Sequence, residues 1–284
     1  VTAIALGAHF TCALKKDGSV WCWGYGGHGQ LGPGTGGEET PAAVKGLSDI
    51  EAISAGWHFT CALKKDGSVW CWGLTANVND KDDHGKKATL WSVKGLANAT
   101  AIESGSSHTC ALKTDGGVSC WGGNDKGQLG DGKTGGKQVT AATVSGLTSI
   151  KAIAAGGSSS CALKTDGGVW CWGLNDKGQL GDGSKNDQTT PVAVKGLAGA
   201  VAIGGGQQHN CALKADGSVR CWGDNSDGQL GSGDKLSQNA PVSVKGYVGL
   251  TPCADGDGCT VDNFCDQGQC SAGKAKVCDD GNSC

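Results

Sequence analysis

Sixteen cysteines, six histidines and two acidic clusters are the side chains of this 284-residue chain that invite chemistry. Ten of the cysteines fall in pairs ten residues apart: Cys12 and Cys22, Cys61 and Cys71, Cys110 and Cys120, Cys161 and Cys171, Cys211 and Cys221. An even count at regular spacing fits disulfides, which persist in oxidising compartments. Cysteines so committed cannot act as nucleophiles. The histidines do not sort into a metal ring. His9 and His58 follow a repeated glycine by two positions, His108 and His209 by three, and adjacent strand positions face opposite ways. Calcium takes carboxylate oxygens on flexible loops. Asp255, Asp257 and Asp262 are the leading candidate ligands, and a loop with Asn79, Asp80, Asp82, Asp83 and His84 is a candidate binding loop that could also comply. Neither cluster has EF-hand spacing, and no other cofactor is expected. No HExxH, GxSxG or GxxxxGK motif is present, so the chain is not expected to be an enzyme.

The cysteine pairs sit in a repeat. TCALKKDGSVWCWG at 11–24 recurs at 60–73, as TCALKTDGGVSCWG at 109–122, SCALKTDGGVWCWG at 160–173 and NCALKADGSVRCWG at 210–223. The first cysteines are 49 to 51 residues apart, a period of solenoids, propellers and arrays. Each repeat reads as four short strands. The first is an apolar run such as Ile4–Leu6 or Ala52–Ser54, the second holds Cys-Ala-Leu, and the third holds Val-Trp-Cys-Trp. The fourth is the PxxVKG run at Pro41–Gly46, Pro191–Gly196 and Pro241–Gly246. Asp-Gly between the second and third strands is a strong hairpin signal. The midpoint of each cysteine pair falls on that aspartate, so a loop of three or five residues sets the two cysteines opposite each other. Opposed Cα atoms lie ~4.5–5.5 Å apart, within disulfide reach. The other reading is five pairs of buried free thiols in a reduced protein.

Trp23, Trp72, Trp121, Trp172 and Trp222 each follow the second cysteine and recur once per repeat, as inter-blade core residues would. Lys15, Lys64, Lys113, Lys164 and Lys214 recur two residues before an aspartate, which neutralises any ring of positive charge.

The strings GSSHTCALKTDGGVSCWG at 105–122, NDKGQLGDG at 124–132 and 175–183, and NSDGQLGSG at 225–233 resemble the RCC1 repeat. The resemblance covers residues 1–249 and implies an all-β propeller of five four-stranded blades. The best-known members have seven blades. The paired cysteines resemble those of secreted bacterial relatives, some of them enzyme inhibitors, and not those of the nuclear exchange factor that names the family. The wedge that carries nucleotide exchange has no counterpart here. The second repeat lacks GQLG and reads LTANVNDKDDHGKKATLWS at 74–92. Residues 250–284 form a separate small disulfide-rich tail with Cys253, Cys259, Cys265, Cys270, Cys278 and Cys284. It resembles the cysteine-rich repeats of bacterial surface proteins, and six cysteines allow 15 connectivities. CDDGNSC reads as the start of a further repeat, so the natural chain is expected to continue past Cys284. Removal of a signal peptide would explain the start at Val1, as would trimming.

The net charge is −3, from 24 basic and 27 acidic residues, without a basic block. That excludes nucleic acid as an expected partner, and no apolar run is long enough to span a membrane. The expectation is an extracellular or cell-surface protein, bacterial in origin. Its role is a non-enzymatic scaffold that binds a protein or glycan. The alternative is a self-assembling subunit of an extracellular fibre or appendage, because a ring that does not close leaves edges for another copy.

Overall fold

The computed structural model describes residues 1–74 and 89–246, and beyond them only the backbone of two short strands. Five antiparallel sheets follow one another along the chain. Blade 1 holds β1 (Ala3–Leu6), β2 (Phe10–Leu14), β3 (Val20–Gly24) and β4 (Glu38–Ala43). Blade 2 holds β5 (Ile50–Ala55), β6 (Phe59–Lys64), β7 (Val69–Gly73) and β8 (Trp91–Ser92). Blade 3 holds β9 (Ala99–Ser104), β10 (His108–Lys113), β11 (Val118–Gly123) and β12 (Lys137–Thr143). Blade 4 holds β13 (Ile150–Ala155), β14 (Ser159–Lys164), β15 (Val169–Gly173) and β16 (Gln188–Ala193). Blade 5 holds β17 (Ala200–Gly205), β18 (His209–Lys214), β19 (Val219–Gly223) and β20 (Gln238–Ser243). Each sheet is a meander. β21 (Phe264–Asp266) and β22 (Gln269–Ser271) pair separately, with Cys265 opposite Cys270 in backbone register.

The central hairpin of each blade closes on the Asp-Gly turn. In blade 1 the last ladder pair is Leu14 with Val20, and Lys15 N–H donates to the Ser19 carbonyl at 2.9 Å. Gly18 sits at φ 80°, where a side chain would be strained. The fourth strand begins earlier than the PxxVKG run: β4 starts at Glu38 and β16 at Gln188. The residues before proline pair with the third strand, Gly24 with Glu38 and Gly173 with Gln188. Val44 and Val194 then close on the carbonyls of Val20 and Val169, and Lys-Gly turns the chain away, with Gly46 at φ 84°.

The core lies between blades. Strand alternation gives every sheet two apolar faces. One bears the cysteines with the Leu and Val columns, and the other bears the Ile, Ala and Trp columns. The cysteine face of each blade packs on the tryptophan face of the next, and the four seams are four separate clusters. In the third, Cys110, Leu112, Val118, Leu129 and Val144 meet Ile150, Ile153, Ala162 and Trp172. Each Leu or Val buried there contributes roughly 1.5–3 kcal/mol.

The GQLG loop of one blade is the latch to the next. The Gln30 carbonyl accepts from Trp72 Nε1 at 2.9 Å and from Thr60 Oγ1 at 3.1 Å. The Gln128 carbonyl accepts from Trp172 Nε1 and Ser160 Oγ, and that of Gln179 from Trp222 Nε1 and Asn210 Nδ2. The loop itself is held by a buried asparagine. Asn175 Oδ1 accepts from Leu180 N–H at 2.9 Å, and its Nδ2 donates to the Asn186 carbonyl at 3.0 Å. Asn124 and Asn225 do the same for Leu129 and Leu230.

Candidate interaction site

The inner strand of each blade ends in Gly-x-x: Gly7-Ala8-His9, Gly56-Trp57-His58, Gly105-Ser106-Ser107, Gly156-Gly157-Ser158 and Gly206-Gln207-Gln208. These turns surround a central cavity of about 250 Å³. A belt of backbone bonds joins them. Ala8 N–H donates to the Trp57 carbonyl, Trp57 to Ser106, Ser106 to Gly157 and Gly157 to Gln207, at 3.4, 3.2, 2.9 and 2.9 Å. The glycines permit this approach, because a Cβ on Gly105 or Gly156 would lie 2.2 or 2.4 Å from the next blade's carbonyl oxygen.

On this constant frame two side-chain columns vary, and their aromatic members gather at blades 1 and 2. Trp57 occupies a position held by Ala8, Ser106, Gly157 and Gln207 in the other blades, lines the cavity and is 48% exposed. His9 and His58 follow where the other blades have Ser107, Ser158 and Gln208. Tyr25, also 48% exposed, donates its N–H to the His9 carbonyl at 2.9 Å, and Leu74 donates its own to that of His58 at 2.8 Å. The rings stack into one patch. Tyr25 and His28 meet edge to face at 5.7 Å, His28 and His58 at 4.6 Å, and Trp57 and His58 at 6.5 Å. Burial holds the His58 pKa below its ordinary value, and the charges of His28 and His9 push it the same way. Imidazole rings beside exposed aromatics make an amphipathic surface of the composition that concentrates binding energy at protein interfaces.

The paired cysteines are joined as Cys12–Cys22, Cys61–Cys71, Cys110–Cys120, Cys161–Cys171 and Cys211–Cys221, with Cα atoms 4.0–4.1 Å apart. Cys253, Cys259, Cys278 and Cys284, the acidic group Asp255, Asp257 and Asp262, and Asn79, Asp80, Asp82, Asp83 and His84 lie outside the described residues. Among the described residues no group of three His, Cys, Asp or Glu side chains is arranged to hold a metal. Trp72, Trp121, Trp172 and Trp222 are buried in the seams, and Trp23 is half-buried. The lysine column splits: Lys113 and Lys214 pair with Asp115 and Asp216, while Lys15 and Lys164 lie over the rings of Trp21 and Trp170. His28, Tyr25 and Trp57 carry no motif. The signal for Trp57 is one large aromatic in a column that otherwise holds Ala8, Ser106, Gly157 and Gln207.

Solved structures share this architecture. Prp20p of Saccharomyces cerevisiae, described with its binding to Gsp1p and histones, superposes with a TM-score of 0.76 at 22% identity, over 86% of this chain and 63% of its own. Human WBSCR16 gives 0.76 at 21% identity, over 84% and 65%. The ectodomain of the Physcomitrella patens receptor kinase CR4 gives 0.51 at 25%, over 76% and 50%. The chain thus spans less than two thirds of each of these proteins. The RCC1-like domain family matches residues 1–265. Five repeated four-stranded blades, packed face to face in sequence and covered almost throughout by that match, place the chain in the RCC1-like domain family.

Proposed function

We propose that the protein is an extracellular, non-enzymatic scaffold that binds a protein partner through the patch of Tyr25, Trp57, His9, His28 and His58. The observation that carries this reading is Trp57, an aromatic half open to solvent where the other blades hold small or polar residues. Loop 74–92 supports it, because Leu74 leaves the frame bonded to His58 and the candidate binding-loop residues follow directly. Five disulfides support an oxidising compartment, and one structural relative is a receptor ectodomain. Residues 250–284 are a cysteine-rich appendage in this reading. Trp57→Ala tests it. A protein captured by the immobilised wild-type chain from extracellular extract should bind the variant at least ~30-fold more weakly, the scale of an aromatic hot spot. Equal binding by both would move the site elsewhere. A second reading, a subunit of an extracellular fibre, has one observation in its favour: blades 1 and 5 do not pack on each other as neighbouring blades do.

A further inference from the structure

Asn98-Ala99-Thr100 is the one Asn-x-Ser/Thr tripeptide of the chain, the pattern that accepts an oligosaccharide on asparagine when the middle residue is not proline. It stands at the turn that leads from blade 2 into β9. The hairpin turns of two blades fix the backbone there. The Asn98 carbonyl accepts from Thr114 N–H at 3.0 Å, and Ala99 N–H donates to the Gly67 carbonyl at 3.2 Å. Asn98 itself is left-handed, at φ 57°. The other three turns between blades repeat this. Asp49 and Ser149 at φ 59° and Gly199 at φ 69° hold the equivalent positions, and their carbonyls accept from Lys65, Thr165 and Ala215. Asparagine, aspartate and glycine tolerate that conformation, so the turn accounts for Asn98. It does not account for Thr100, because Glu51, Lys151 and Val201 stand there in the other blades.

The two residues that make the acceptor face solvent. Asn98 and Thr100 are exposed, while Ala99 between them is 7% exposed and is anchored in the seam between blades 2 and 3. Among the described residues no hydrogen bond engages the Asn98 side-chain amide, so Nδ2 takes a substituent without breaking one. The Thr100 hydroxyl donates to the Leu112 carbonyl at 3.2 Å, which leaves its own oxygen free to accept. Strand β9 is six residues long and carries the chain roughly 20 Å from Asn98 to the Gly105 turn, on the face that bears Trp57. A group on Asn98 therefore stands on the opposite face and leaves the patch of Tyr25 and Trp57 open.

We propose that Asn98 is a glycosylation site, carrying an oligosaccharide on its side-chain nitrogen. This rests on the reading of the protein as extracellular, since the modification belongs to secreted chains and their surface loops. The donor is a lipid-linked oligosaccharide diphosphate. Asn98 Nδ2 bonds to C1 of the first sugar, the C1–O bond to the diphosphate breaks, and the amide proton leaves with the departing lipid diphosphate. No oxidation or reduction is involved.

The test is to produce the full chain behind a secretion signal in a eukaryotic host and to weigh it intact, before and after treatment with a peptide N-glycosidase. The secreted wild type should carry one oligosaccharide, which the enzyme removes and which leaves a carboxylate at position 98. Asn98→Asp and Thr100→Val should be secreted without sugar, and Thr100→Ser should keep it. Asn98→Asp should fold normally, because Asp49 already holds this turn in blade 2. A wild-type chain secreted with its disulfides formed but without sugar would overturn the site and leave the extracellular reading standing. So would sugar that persists in Asn98→Asp. A chain held back in the host with reduced thiols would overturn the extracellular reading, and the site with it.

Discussion

At the scale of the residue, one column shows how the frame accepts different chemistry at one place. Phe10, Phe59, His108 and Ser159 are buried at equivalent positions on the cysteine face. Ser160 Oγ donates its proton to the Gln128 carbonyl, so it accepts from His108 Nε2–H at 2.8 Å. The Nδ1 lone pair is left bare. A proton there would put a charge into the seam without a partner, and burial lowers the His108 pKa to about 4. The sign follows from linkage. Between pH 6.5 and 4 the unfolded chain binds this proton and the folded chain does not, so stability falls as pH falls through that window. The full loss is about 3 kcal/mol, from 1.36 kcal/mol for each pKa unit. His108→Phe places in blade 3 the residue that blades 1 and 2 already bury. Urea unfolding at pH 7, 5.5 and 4.5 should show a steep decline for the wild type and a shallower one for the variant. Half-buried His58 and His209, whose pKa values burial also lowers, contribute to the decline that remains. An unchanged slope would mean that His108 is not held neutral.

At the scale of the element, the stapled hairpin is the unit that makes the blades alike. A short β-hairpin alone is marginally stable in water, and closing a loop of this size restricts the unfolded chain by roughly 2.5–3 kcal/mol. Replacing Cys161 and Cys171 together by Ala should cost about that much, read from the unfolding midpoint against an oxidised wild type. A loss near zero would mean that the seams alone set blade stability. The hairpins were the most legible part of the sequence, because cysteine spacing and Asp-Gly turn chemistry are local. The start of the fourth strand was less so, since nothing local marks Glu38 or Gln188 as the partner of a glycine in the third strand. The aromatic–histidine patch was not legible. Tyr25 and Trp57 belong to different blades, and only the close approach of successive inner turns brings their neighbourhoods together. The lack of a seam between blades 1 and 5 among the described residues was equally hidden, because both carry the same seam residues as blades 2 to 4.

At the scale of the molecule, stability is a sum of blade and seam contributions, as in other repeat proteins whose units touch only their neighbours. Among the described residues, blades 2, 3 and 4 are each held by two seams, and blades 1 and 5 by one. All five hairpins carry the same disulfide, so a difference between blades isolates what a seam contributes. Local opening draws on the least supported units first. In dilute protein the ladder amides of β2–β3 and β18–β19 should therefore exchange faster than those of β10–β11, by on the order of tenfold or more if opening an end blade spares one seam's packing. Hydrogen exchange followed by mass spectrometry, with a reducing step before digestion, resolves the three hairpins. Uniform protection across the three hairpins would mean that the outer faces of blades 1 and 5 are covered by other residues of the same chain.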